Sequence, residues 1–273
     1  MAAKTLTQTT GTVTSADGTS IAYTRTGEGP ALVLVDGALC YRGFGPAKPF
    51  AKELASHYTV YTYDRRGRGD SGDTGPYDPR REVEDLAAVI GAAGGSGYVF
   101  GQSSGAALAL EAAHSGVPIE KLAVYEAPFI VDDSREPADP GFLAQLQDDV
   151  AADRRGDVLK RFMKFVGMPR VMIAVMRLTP PWRQLKTVAH TVPYDVTIVR
   201  PHQTGEPIPA GRWDGATMPV LAVGGGKSET WMQNAQRAIA ETLPNADHRT
   251  LEGQNHRLQA KAIAPLLRDF FTA

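Results

Sequence analysis

A serine flanked by glycines carries the clearest chemical meaning in this sequence. Residues Gly101–Gly105 read GQSSG, so Ser103 occupies the centre of a G-x-S-x-G motif. A β-like run, Tyr98–Phe100, precedes the motif, and a helical stretch of mostly small residues, Ala106–Ala113, follows it. A strand, a tight glycine-flanked turn and a helix expose a serine hydroxyl and aim N–H groups at a developing oxyanion. We therefore predict that Ser103 is a nucleophile.

Two earlier apolar runs must form the strands beside this motif. Ala31–Val35 is continuously apolar and ends at Asp36, as expected for a strand buried on both faces. Thr59–Tyr63 is followed by the segment Asp64–Gly72, which reads DRRGRGDSG. Helical patterns alternate with such short strands along the chain, which predicts a mostly parallel sheet with helices on both faces.

With D-x-R-G-x-G-x-S after one strand and G-x-S-x-G after the next, the chain resembles the α/β-hydrolase superfamily. The resemblance covers residues 11–128 and 217–271. It implies an α/β-hydrolase fold, with a mostly parallel central sheet, helices on both faces and an inserted helical cap. We expect residues 1–128 and 215–273 to form the core. Residues 129–214, where helical patterns broken by prolines replace the strands, are expected to form the cap.

The resemblance also implies a base late in the chain, because the superfamily orders its triad as serine, acid, histidine. Among six histidines, His256 lies in the loop Glu252–His256, between the last predicted strand and the closing helix. Relatives often carry G-x-x-H or G-x-H in that loop. We predict that His256 takes the proton of Ser103 and returns it to the leaving group.

The expected acid departs from the superfamily pattern. Where relatives usually place an aspartate, after the penultimate core strand, this chain has Ser228, which carries no charge. Glu126 comes at the end of the strand predicted after the helical stretch Ala106–Ala113, and this strand end can also supply the acid in the superfamily's fold. We predict that Glu126 reaches Nδ1 of His256, with Glu229 and then Asp132 as alternative acids. A purely structural role, in which Glu126 bonds loop backbone, stays open.

The oxyanion hole is expected to use two main-chain donors. One is the N–H of Ser104, directly after the nucleophile. The other comes from the loop after the strand Ala31–Val35, where Ala38 matches the donor position of relatives. Asp36 stands where relatives usually carry a histidine, a departure that concerns how this loop is held and not whether a main-chain amide can point inward.

The cap contains a repeat of flexible apolar side chains. Met168, Met172 and Met176 recur at i, i+4 and i+8, which predicts that they share one helix face. Together with Phe165, they could form an adaptable substrate pocket, although ordinary packing of the cap on the core is the alternative. The residues predicted to line the pocket are Leu39, Met172, Met176 and Trp182.

Composition excludes several other classes of protein. The 273 residues carry a formal net charge of −1 with acids and bases interspersed, so neither a nucleic-acid nor a membrane partner is expected. The single cysteine, Cys40, excludes an internal disulfide. The first residues contain no apolar secretory segment, which favours a cytoplasmic location. We expect a small-molecule substrate and no metal or cofactor.

These features predict a serine hydrolase, of carboxylesterase or lactonase type. It would cleave an ester, thioester or lactone of a small, largely apolar molecule through an acyl-enzyme. A serine nucleophile disfavours the dehalogenase and epoxide-hydrolase branches, which use a carboxylate. A cofactor-independent lyase, C–C hydrolase or cyclase of secondary metabolism is the alternative enzyme. A catalytically weak ligand-binding protein is the alternative outside catalysis, because the usual acid is missing.

Overall fold

The computed structural model describes residues 7–273, which form eight β-strands and ten α-helices. The strands are β1 (Gln8–Thr14), β2 (Ser20–Thr26), β3 (Ala31–Val35), β4 (Thr59–Tyr63), β5 (Gly97–Gln102), β6 (Ile119–Tyr125), β7 (Val220–Gly225) and β8 (Ala246–Leu251). The helices are α1 (Ala47–Leu54), α2 (Pro79–Ala92), α3 (Ser104–His114), α4 (Phe142–Ala151), α5 (Arg155–Phe165), α6 (Arg170–Met176), α7 (Pro180–Val188), α8 (Val192–Val199), α9 (Thr230–Thr242) and α10 (Ala260–Thr272).

All eight strands belong to one sheet, in the order β1-β2-β4-β3-β5-β6-β7-β8. The pairs β1–β2 and β2–β4 are antiparallel, and every other neighbouring pair is parallel. The mostly parallel sheet predicted from the sequence is therefore confirmed. Because parallel strands end at the same edge, the loops that follow β3, β5, β6, β7 and β8 converge there.

Helices cover both faces of the sheet, because alternate residues of a strand point in opposite directions. In β3, Leu32 and Leu34 pack in a cluster with residues of α1 and α10. Val33 and Val35 pack in a second cluster, with residues of α2, α3 and α9. All four side chains are buried, as the continuous apolar run predicts. These two apolar clusters, one on each face of the sheet, fix the ends of the strands. The polar residues of the candidate site follow those ends.

Five helices, α4 to α8, are inserted between β6 and β7. No strand forms among residues 129–214, all of which the structure describes. The inserted helices share an apolar cluster that includes Leu146, Leu159 and Leu185. We call this helical insertion the cap. Its limits at residues 129 and 214 stay a prediction.

The predicted methionine face is wrong in one respect. Met168 precedes α6, which begins at Arg170, so it does not share a helix with Met172 and Met176. Pro169 interrupts the pattern with extended backbone, φ −58° and ψ 139°. A proline also disfavours helical backbone at the residue before it, and this separates Met168 from the helix.

Among residues 7–273, no helix is both long enough and apolar enough to cross a bilayer. The same residues contain no group of three or more His, Cys, Asp or Glu side chains that could hold a metal ion. The cytoplasmic location and the lack of a cofactor stay predictions.

Candidate active site

Ser103 lies in a tight turn between β5 and α3. Its backbone has φ 55° and ψ −126°, and a non-glycine residue held in such a region costs about 1–3 kcal/mol. The flanking glycines let the turn close, because a Cβ on Gly101 would lie 2.7 Å from the carbonyl oxygen of Gly105. A Cβ on Gly105 would lie 2.6 Å from the carbonyl oxygen of Asp36. The turn leaves the serine partly exposed at the wall of a cavity.

Glu126 and His256 form a close pair at the same edge of the sheet. His256 Nδ1 lies 2.8 Å from Glu126 Oε2, which is the contact expected from the sequence. The carboxylate is fully buried, whereas the imidazole is half exposed. Such a carboxylate favours the tautomer that carries its proton on Nδ1, and this leaves Nε2 able to accept a proton.

Two donors hold the other carboxylate oxygen of Glu126. The N–H of Gly225 donates to Oε1 at 2.8 Å, and the Ser228 hydroxyl donates to the same oxygen. Ser228 occupies the position where relatives usually have the acid. In this chain a neutral serine on the β7 side therefore orients a carboxylate that β6 supplies.

The two alternative acids have other contacts. Glu229 is 77% exposed and accepts a hydrogen bond from an indole N–H. Asp132 accepts a hydrogen bond from the side-chain amide of Asn234. Within the described chain, neither carboxylate lies within hydrogen-bond distance of His256. Only Glu126 has the geometry of the acid partner among these three candidates.

The expected oxyanion donors, Ala38 and Ser104, both line the cavity beside Ser103. Ser104 is the first residue of α3, so its N–H has no acceptor within the helix. Among residues 7–273, the N–H of Ala38 donates to no other residue. A Cβ built on Gly37 would lie 2.9 Å from the Cβ of Ser103, so the Ala38 loop passes directly against the serine. Neither N–H is used by another hydrogen bond among the described residues, which is a condition that an oxyanion donor must meet.

Arginines hold this loop where relatives usually have a histidine. Asp36 is 6% exposed, and burial raises the pKa of its carboxyl to about 7 against the opposing effects of Arg68 and Arg65. The backbone carbonyl oxygen of Asp36 accepts a hydrogen bond from Arg65 Nη1 at 3.2 Å. The carbonyl oxygen of Gly37 accepts one from Arg68 Nη1 at 2.8 Å.

A cavity of about 570 Å³ connects these groups, and it is lined by both the core and the cap. Core residues on its wall include Ser103 and His256, and cap helix α8 contributes Asp195. Its apolar lining consists of Pro128, Phe162, Phe165, Val166, Val196, Val199, Trp231 and Met232. Its basic lining consists of Arg135, Lys227 and Arg257.

The four residues predicted to form the pocket do not line this cavity. Leu39 and Trp182 are buried in the apolar cluster of the cap, and Met176 packs against that cluster. Met172 is 49% exposed. Leu39, Met176 and Trp182 therefore pack in or against the apolar cluster of the cap and do not line the cavity beside Ser103. Only Phe165, the aromatic residue considered with them, lies on the cavity wall.

Ser103 and His256 both line the cavity, but no hydrogen bond joins their side chains among the described residues. Within residues 7–273, the Ser103 hydroxyl makes no hydrogen bond, whereas His256 keeps its bond to Glu126. In unliganded enzymes, hydrogen bonds between catalytic groups are often long and shorten when substrate binds.

Sequence reasoning missed a buried charged cluster that contacts Ser104, the residue after Ser103. Arg65 and Arg68 are each 1% exposed and Asp195 is 2% exposed. Burial alone would raise the pKa of Asp195, but Arg68, Arg65 and the Ser104 hydroxyl hold it below its usual value. A signal was present, because Asp195 is the one charged residue in the apolar helix VPYDVTIV. A carboxylate in such a helix requires a buried partner.

Comparisons with known proteins agree with this architecture. A family model described as the alpha/beta hydrolase family matches residues 32–264. The solved structure of an alpha/beta hydrolase from Sphaerobacter thermophilus is 48% identical to this chain, with a TM-score of 0.87. That match covers 96% of this chain and 100% of the other.

Two further relatives are more distant. An uncharacterized hydrolase of Bacillus subtilis, YraK, is 38% identical over 103 residues. The matched part spans 34% of this chain and only 35% of that protein. A hydrolase from Pseudomonas aeruginosa is 22% identical, with a TM-score of 0.71, and covers 97% of this chain and 98% of its own. At that identity the likeness shows the fold alone.

The chain belongs to the alpha/beta hydrolase family.

Proposed function

We propose that this protein is a serine hydrolase that cleaves an ester, thioester or lactone of a small molecule through an acyl-enzyme. The observation that carries the proposal is the 2.8 Å contact between the buried Glu126 and His256, on the cavity that also exposes Ser103. A histidine oriented by a carboxylate beside a serine in a strained turn is the arrangement that activates a hydroxyl.

Each step of the reaction uses a residue placed at the sheet edge. Ser103 Oγ attacks the carbonyl carbon of the substrate while Nε2 of His256 accepts the hydroxyl proton. The N–H groups of Ala38 and Ser104 stabilise the oxyanion. His256 then protonates the leaving group, which departs and leaves an ester on Ser103. A water molecule that His256 deprotonates attacks this ester. His256 then returns the proton to Ser103 Oγ as the acid is released.

Rapid-mixing kinetics with p-nitrophenyl acetate and butyrate test this function. We expect a burst of p-nitrophenol that equals the enzyme concentration, followed by slower steady release, because the acyl-enzyme forms before it is hydrolysed. A catalytically weak binding protein would give no burst. Linear release from the first turnover, at a rate no faster than in buffer, would contradict the proposal.

The cavity lining also supports a substrate type. Its aliphatic and aromatic wall suits an apolar acyl chain. Arg135 is held on the cavity wall, because its guanidinium lies 4.3 Å from the ring centre of Trp231 and donates to the carbonyl oxygen of Phe165 at 2.8 Å. Its Nη1 also lies 3.8 Å from a carboxylate oxygen of the exposed Glu229. Among residues 7–273, Lys227 and Arg257 form no ion pair. These two charges and that of Arg135 outnumber the exposed carboxylate of Glu229 on the same wall, and the excess of positive charge favours an acyl chain that ends in an anionic group.

A comparison of matched esters tests this preference. We expect mono-p-nitrophenyl adipate to react with a higher kcat/KM than p-nitrophenyl hexanoate, because only the former carries a terminal carboxylate. Arg135→Gln should reduce the preference by about fivefold, as for an ion pair worth about 1 kcal/mol near a surface. Arg249→Gln, which removes an exposed charge on β8, is the control and should leave the preference unchanged. Equal kcat/KM values for the two esters in the wild type would refute the charge argument.

A further inference from the structure

We infer that Asp195, on cap helix α8, is a positioning residue that holds both donors of the oxyanion hole through Ser104 and two buried arginines. The inference rests on the proposed function, since the hole matters only if Ser103 forms a tetrahedral intermediate. It assigns the cap a part in catalysis in addition to its part in shaping the cavity.

Both oxygens of the Asp195 carboxylate contact side chains of the core. Its Oδ1 lies 2.8 Å from Arg65 Nη1, and its Oδ2 lies 2.6 Å from Arg68 Nη2. The Ser104 hydroxyl donates to Oδ1 at 2.7 Å. All of these side chains are buried, so water does not compete for the contacts and each charge depends on its partners.

The contact with Ser104 acts on the first oxyanion donor. Ser104 follows the nucleophile directly, and its N–H has no acceptor within α3. Asp195 holds the side chain of this residue from the cap. Rotation of the first turn of α3 away from Ser103 would therefore break a hydrogen bond to a buried carboxylate.

The contact with Arg68 acts on the second donor. Arg68 uses Nη2 for Asp195 and Nη1 for the carbonyl oxygen of Gly37, at 2.8 Å. The Gly37 carbonyl and the Ala38 N–H belong to one planar peptide unit, in which the C=O and N–H bonds point in opposite directions. Because Arg68 draws the carbonyl to its own side, the N–H of Ala38 is turned away from the arginine.

The two arginines do not depend equally on Asp195. Arg65 also binds Glu82, with Nε 2.6 Å from Oε2. Among residues 7–273, Asp195 is the only carboxylate within 4.0 Å of a nitrogen of Arg68. Loss of the Asp195 charge therefore leaves Arg68 without a carboxylate within 4.0 Å, and the contact of Arg68 with Gly37 is the first that we expect to change.

The test compares two buried aspartates of the same kind. Asp85 is 1% exposed and binds Arg66 through two contacts of 2.8 Å, but it contacts neither Gly37 nor Ser104. Asp195→Asn and Asp85→Asn should both lower the melting temperature. Only Asp195→Asn should lower kcat on p-nitrophenyl butyrate, by about 10- to 100-fold, a part of the loss seen when an oxyanion donor is removed. Its KM should stay within about twofold of wild type, because the hole acts on the transition state.

Ser104→Ala keeps the inference testable if Asp195→Asn does not fold. This variant keeps the backbone N–H and both arginine contacts of Asp195, so the fold should persist. We expect kcat to fall by about fivefold or more with KM unchanged, because one donor loses its anchor. A folded Asp195→Asn protein with the kcat of Asp85→Asn, or a Ser104→Ala protein with wild-type kcat, would overturn the inference alone. A wild-type protein that releases p-nitrophenol no faster than buffer would overturn the proposed function and this inference together.

Discussion

Replacing Ser103 with alanine should reduce kcat by about 10⁵-fold or more, on the order of the loss when a triad serine is removed from another serine hydrolase. The hydroxyl is the only group of this residue that can attack a carbonyl. Alanine keeps the Cβ, so the backbone strain at φ 55° is the same in the variant. Steady-state release of p-nitrophenol measures the change.

The stability of this variant should be close to that of wild type, because the Ser103 hydroxyl makes no hydrogen bond among residues 7–273. Ser115→Ala, at the end of the same helix α3, provides a matched control that should keep full turnover. If Ser103→Ala retained turnover within tenfold of wild type, another nucleophile would have to be sought.

Glu126→Gln should give the second-largest loss, about 10³- to 10⁴-fold in kcat, by analogy with the acid-to-amide change in serine proteases. The amide oxygen can still accept from Gly225 and Ser228. Its NH₂ group would then face His256 Nδ1 as a donor and favour the wrong tautomer of the ring. The kcat of the purified, folded variant, with its circular dichroism spectrum as a check on the fold, measures the effect.

Glu229→Gln is the matched control for this change. Glu229 is a nearby carboxylate on the same cavity, but it is 77% exposed and does not contact His256. Its kcat should stay within about twofold of wild type, as for most exposed side chains outside the reacting groups. The reverse ranking of the two variants would mean that Glu126 has only a structural role.

The strands and their order along the chain could be predicted because each is a short apolar run that ends at a polar or glycine-rich turn. Ala31–Val35 is the clearest case, since burial on both faces requires five consecutive apolar residues. The positions of the candidate site residues were predictable for the same reason. Ser103, Glu126 and the His256 loop each follow directly from a strand, so the parallel sheet brings them to one edge.

The pocket could not be predicted from the sequence with the same success. Helical spacing places Met172 and Met176 on one side of α6, but it does not say whether that side meets the core, the cap or water. The structure leaves Met172 half exposed and buries Trp182 within the cap. Which cap residues reach the cavity depends on how five helices pack together, and spacing within one helix does not contain that information.

The buried ion-pair cluster shows a second limit. Asp195 and Arg68 lie 127 residues apart in the chain. Each residue alone signals that it needs a partner, because a buried charge is costly. Nothing in the local pattern says which opposite charge is the partner. The connection between the cap and the loop that contains Gly37 and Ala38 therefore appears only in the folded structure.

The central claim is that Ser103 forms a covalent intermediate, and peptide mapping after reaction with a fluorophosphonate tests it most directly. We expect one adduct per chain, located by mass spectrometry on the peptide that contains Ser103 and absent from Ser103→Ala. Glu126→Gln should give the same adduct more slowly, because its histidine is a poorer base. An unlabelled wild-type protein that still hydrolyses p-nitrophenyl esters, or an adduct on another residue, would contradict the account.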